Sequence, residues 1–148
     1  MLFEMMNEKV KAGWVAGLRS GKYVQGQEKL RDVEKNEHCC LGVLCDIYDP
    51  TQWHVDEDEA VYMFEYEGEF APDPETLEDD YEDTCSINDL PVRMADKLGI
   101  HTNERQMLIA FNDRVRNLYN PSQKHMTFLQ IADVIESGVL PAEYERRA

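Results

Sequence analysis

Between Asp46 and Asp89 the chain carries seventeen carboxylates and no lysine or arginine. Such a segment cannot close into an apolar interior, because each buried, unpaired carboxylate costs several kcal/mol in lost hydration. The carboxylates of this stretch must therefore lie on a solvated face. A core is still within reach: the chain has 148 residues, of which 43% are hydrophobic. That length suits one ordinary domain, which buries roughly 70% of the surface its unfolded chain exposes. We expect a single compact α+β domain over residues 1–148, with a few short helices packed on a small antiparallel sheet or hairpin and an acidic insert at about 46–89.

The formal net charge of -15 is unevenly distributed. Residues 9–35 hold seven cations (Lys9, Lys11, Arg19, Lys22, Lys29, Arg31, Lys35) against Glu28, Asp32 and Glu34. Overall acidity opposes binding to duplex DNA, whose affinity rests on neutralised phosphates. A local cationic pocket for a small anion remains open. No apolar run reaches the roughly 18 residues that span a bilayer, and the start MLFEMMNEKVK lacks a basic n-region followed by an apolar core. No membrane association and a cytoplasmic location are the expectations.

Asn7 is placed to cap a helix running to about Arg19, with Val10, Trp14 and Leu18 on one face. Residues 20–37 lack periodicity and read as a structured loop or irregular strand. Cys39–Tyr48 is a short buried helix or a strand, since brief apolar runs do not declare their period. TQWHV and AVYMFEY flank Asp56–Glu59 as an antiparallel hairpin, and residues 67–86 read as a long exposed loop. A helix from about Leu90 to Leu98 has Ser86, Asn88 and Asp89 as candidate caps, Pro91 in its first turn and Gly99 as its stop. MLIAFND fits strand or helix, and NLYNPSQKH is a loop. Thr127 and Gln130 then form a capping box that opens a helix striped by Phe128, Ile131, Ala132 and Ile135, ended by Gly138 and Pro141.

Cys39, Cys40, Cys45 and Cys85 read as reduced, buried thiols that act as small hydrophobes. The spacing HCCxxxxC around His38 is not that of a zinc knuckle. Starting at Asp56, a calcium-binding loop would need glycine where Val61 stands. No HExxH, GxSxG or GxGxxG is present, and Ala16 breaks the phosphate-loop spacing before LRSGKY. MADKLGIHTNERQMLIAF has the outline of a helix-turn-helix, but Arg105 falls where its second helix wants an apolar anchor. We expect no cofactor, no metal and no enzymatic activity.

The stretches LRSGKYVQGQEKLR, HCCLGVLCDIY, FND and TFLQIADVIESG occur in this order. In this they resemble a widespread group of small, mostly phage-encoded proteins with the motifs LRSGxYxQGxxxLR, CCLGVLCD, LND and sFxxIADxIE. The resemblance covers both ends of the chain and skips the acidic middle; Phe111 stands where the group commonly has leucine. It implies a viral accessory protein acting in the host cytoplasm, a class that includes nucleotide sponges, inhibitors of host defence proteins and acidic DNA mimics.

Trp14, Arg19, Lys22, Tyr23, Gln25, Gln27 and Arg31 form the candidate ligand-binding set, with Lys29 beside them. Cationic groups answer phosphates, an aromatic ring stacks on a base, and glutamines read base edges. The plainer reading is that Trp14 is core and that the cations are solvated, with Arg19 capping helix carbonyls. Two functions follow as expectations. One is a homo-oligomer that sequesters a small anionic ligand, a cyclic nucleotide immune signal, without turnover. The other is an acidic interaction protein that docks on a host protein, imitating nucleic acid.

Overall fold

The apolar run after His38 is a helix, and it forms the centre of the molecule. In the computed structural model, which describes residues 1–56, 61–66, 85–115, 118–122 and 124–144, Cys40–Tyr48 is α2 and every residue from Cys40 to Cys45 is buried. A helix covered on most sides shows no amphipathic period, which is why the sequence left its type open. Its first turn lacks a Ser, Thr or Asp cap. Instead Cys40 N–H donates to Asn112 Oδ1 at 3.2 Å, and Gly42 N–H donates to Cys39 Sγ at 3.4 Å. Both donors would otherwise be buried without a partner.

α1, Glu8–Arg19, begins at the expected cap, where Asn7 Oδ1 accepts from the backbone of Lys9 and Val10. It lies between α2 and α5, Phe128–Ser137, and buries Trp14, Val15 and Leu18. α5 carries the expected box, with Thr127 Oγ1 accepting from Gln130 N–H and Gln130 Oε1 from Thr127 N–H. It ends at left-handed Gly138, φ 71°.

α3 spans Val92–Leu98 and α4 spans Thr102–Asp113, joined by Gly99–His101. Gly99 is left-handed, φ 79°, at the expected stop. The expected caps need correction: Pro91 occupies the N-cap position without a side-chain cap, so it precedes the first turn. Ser86 Oγ and Asp89 Oδ1 accept from Asp89 N–H and Leu90 N–H in the turn before it. MLIAFND is helical, the second half of α4. Arg105 is 6% exposed on this helix, its Nε 3.5 Å from an Asp89 carboxylate that supplies the charge such a position requires.

β1, Trp53–Asp56, and β2, Val61–Glu65, form the expected hairpin with Trp53 opposite Phe64 and Val55 opposite Tyr62. A third short strand, β3, Cys85–Ser86, pairs antiparallel with β2, giving the order β1-β2-β3. Cys85 is the first residue of this strand, and both residues fall in the stretch that the sequence reads as an exposed loop, 67–86. The hairpin turn at 57–60 and the loop at 67–84, with most of the acidic block, lie outside the described residues. The chain is thus an α+β domain, and its buried side chains, from Phe3 near the start to Tyr144, form one cluster. Among the described residues no helix is long and apolar enough to cross a membrane.

Candidate functional site: a polar cleft beside the 24–38 loop

Residues 20–38 are irregular, yet they are tied down at many points. His38 N–H donates to Val24 C=O and Gly26 N–H to His38 C=O, so the two ends of the loop run side by side. The middle folds back between them: Cys39 N–H donates to Leu30 C=O, and Asp32 N–H to Glu37 C=O. Gly26 is required at this crossing, since a Cβ there would come within 2.8 Å of the Glu37 Cβ.

The folded loop forms one side of a cleft of about 330 Å³. Gln25, Gly26 and Gln27 make one wall, and Asp32, Lys35 and Glu37 line it from the returning arm of the loop. Lys29 and His125 complete the lining. Lys29 Nζ sits 3.8 Å from Asp32 Oδ2, and Asp32 Oδ1 accepts from Lys35 N–H at 2.9 Å. Those bonds hold the Asp32 carboxyl below its ordinary range, the Lys35 backbone contact contributing most. The Lys35 ammonium and the Glu37 carboxylate have no ion-pair partner among the described residues, and they do not close on each other.

Of the seven candidate ligand residues, only Gln25 and Gln27 line this cleft. The others are placed elsewhere, for reasons of chemistry. Trp14 is fully buried; its ring meets Phe3 edge-on at 6.1 Å, and its Nε1–H donates to Cys40 C=O at 2.9 Å. It has no free face for a base. Arg19 donates to Asp133 at 2.7 Å and to Glu136 at 2.9 Å, bridging α1 to α5, and these two carboxylates hold its pKa up. Lys22 is exposed and lines neither this cleft nor the shallower one beside α1 that includes Lys11 and Arg19.

Tyr23 and Arg31 belong to an aromatic cluster. The Tyr23 hydroxyl and the Trp53 indole N–H each donate to one oxygen of Asp46, at 2.5 and 3.0 Å. Burial first, and then the Asp46 carboxylate, push the Tyr23 phenol up. The Arg31 guanidinium lies 4.1 Å from the Tyr62 ring centre and 5.6 Å from that of Trp53, with its Nε donating to Asn36 Oδ1. His38 stands edge-on to Tyr23 and Trp53, and neither of its buried ring nitrogens has a hydrogen-bond partner among the described residues. Burial, aided by the Arg31 charge and opposed by Asp46, lowers the imidazole to about 4.

Gln25 also serves the scaffold. Its Nε2 donates to Asn112 Oδ1 and to Met126 C=O, at 3.0 and 2.7 Å, while Asn112 Nδ2 donates to Gly26 C=O. Glu28 N–H donates to Asp113 Oδ1 at 3.0 Å. Side chains singled out as ligand groups are thus largely joints between distant stretches of the chain. Sequence reasoning missed Asp32, Lys35, Glu37 and His125 as cleft residues. The excess of cations in residues 9–35 was the available signal, but the crossing of 26 over 37–38 is not encoded locally.

Cys39, Cys40 and Cys45 are buried free thiols, as expected. Burial pushes Cys39 up to about 12 and raises Cys40 and Cys45 as well, so all three stay protonated and poorly nucleophilic. The Cys85 side chain lies outside the described residues. Among the described residues no cluster of three or more His, Cys, Asp or Glu is arranged to hold a metal ion.

No curated protein and no solved structure matches the chain. A family model does match, over residues 6–139, which takes in the cleft, both flanks and the acidic block between them. The chain therefore belongs to the family described as a domain of unknown function, DUF8296.

Proposed function

We propose that this protein binds and sequesters a small anionic ligand without turnover, in the cleft between Gln25–Gln27 and Lys35. The observation that carries this reading is an ammonium, Lys35, left unpaired among the described residues in a chain of net charge -15, beside a second ammonium and facing a polar cleft. A cation exposed on an acidic molecule without an ion-pair partner attracts a small anion, because the distant carboxylates are screened beyond about 10 Å.

The resemblance to phage accessory proteins extends the proposal to evasion of host defence, with a cyclic nucleotide signal as the ligand. At about 330 Å³ the cleft is at the small end of ligand sites and suits one nucleotide-sized unit. A cyclic di- or trinucleotide would then be shared between copies, which is the reason to propose a homo-oligomer.

Calorimetric titration with inorganic phosphate, nucleoside monophosphates and cyclic di- and trinucleotides tests the reading. Lys35→Ala should weaken binding roughly ten- to hundredfold, the loss of one charge-assisted contact. Arg19→Ala should leave affinity unchanged, since its guanidinium is engaged by α5. No heat with any ligand would retire the cleft in favour of the acidic interaction protein acting on a host protein. An altered ligand recovered by chromatography would make the protein an enzyme.

A further inference from the structure

The cleft combines charges of both signs, and this bears on what it selects. Lys29 and Asp32 form a loose ion pair at 3.8 Å. Lys35 and Glu37 are left, one ammonium and one carboxylate on the same cleft, with no contact within 4 Å between them and no other ion-pair partner among the described residues. The Glu37 stem is held by its packing across Gly26, and its carbonyl is bonded to Asp32 N–H at 2.8 Å, so the carboxylate is carried by an anchored residue.

A bare polyanion gains little here, because Glu37 repels what Lys35 attracts. A ligand that presents an oxyanion to Lys35 and hydroxyl donors to Glu37 gains from both. Resting on the proposed function, we infer that the cleft selects a sugar phosphate, the unit common to nucleotides and free sugar phosphates: Lys35 takes the phosphate and Glu37 accepts from the sugar hydroxyls. A carboxylate accepting a hydroxyl is a charge-assisted bond, and a ligand lacking that hydroxyl leaves it unmade.

The test compares inorganic phosphate, ribose 5-phosphate, 2-deoxyribose 5-phosphate, adenosine 5′-monophosphate and its 2′-deoxy form by calorimetry, on the full chain and on Glu37→Gln. The expected result is binding of ribose 5-phosphate roughly tenfold or more tighter than of the deoxy sugar. Glu37→Gln should erase that ratio and strengthen binding of inorganic phosphate, with circular dichroism showing the variant folded. Tighter binding of the adenosine compound than of ribose 5-phosphate identifies a nucleotide as the source; equal binding identifies a free sugar phosphate. Phosphate binding with identical ribo and deoxy affinities overturns the inference and leaves the anion site standing. No binding of any of the five overturns both.

Discussion

Gly42 sits in the first turns of α2 where a Cβ would fall 1.8 Å from the Leu30 carbonyl oxygen, a backbone atom held by its bond from Cys39 N–H. Nothing there can yield cheaply, so Gly42→Ala should destabilise by about 3 kcal/mol, near the upper end of overpacking. Gly13 in α1 is the contrast: an added methyl meets only Ile47 Cγ2 at 3.8 Å, ordinary contact. Gly13→Ala should stabilise by about 0.5–1 kcal/mol through helix propensity. Urea melts of the two variants should move in opposite directions. His38 gives the residue scale its pH dependence. Its folded pKa is depressed, from 6.5 to about 4, so the unfolded chain binds the proton more readily. Stability is therefore full above about pH 6.5 and falls as pH drops toward 4, by as much as ~3 kcal/mol at about 1.4 kcal/mol per unit. His38→Gln, which cannot titrate, should flatten denaturant midpoints between about pH 7 and 5. Equal slopes for both proteins would assign the loss to other groups.

The elements that were legible in the sequence are those with a local chemical mark. Asn7, Thr127 with Gln130, Gly99 and Gly138 each fix an end through a bond or a left-handed φ that few residues supply. α2 and the second half of α4 were ambiguous because burial removes the polar face on which periodicity depends. β3 was unreadable, since two residues pair only because β2 is already there. The candidate ligand residues were legible only in part. Arg19, Tyr23 and Gln25 have the chemistry of ligand contacts, but Asp133 and Glu136, Asp46, and Asn112 satisfy the same chemistry from within the chain. Residue type announces a polar bond and leaves its partner unspecified. Gln27 and Lys29 line the cleft while also reaching Asn112 C=O, at 3.5 Å, and Asp32, at 3.8 Å.

At the scale of the whole molecule, charge is the dominant fact. Thirty carboxylates face fifteen lysines and arginines, with the excess concentrated in residues 46–89. Repulsion of this kind is long-ranged at low ionic strength and falls off within about 10 Å at 0.1 M salt. Raising sodium chloride from about 0.01 to 0.3 M should therefore raise the melting temperature. A flat or falling response would mean that the acids are already neutralised by nearby cations. Salt should also weaken binding of phosphate at Lys35, so the same titration separates stabilisation of the fold from screening of the site.

The joints that hold the 20–38 loop reach far along the chain: Arg19 to Glu136, Gln25 to Met126, Cys40 to Asn112. A ribosome releases the loop early and its partners late. Until the last third of the chain has emerged, α2 has no partner for its first N–H and α1 has no strut. These long-range joints consequently form after the local bonds within residues 24–39 that set the crossing of Gly26 over Glu37 and His38.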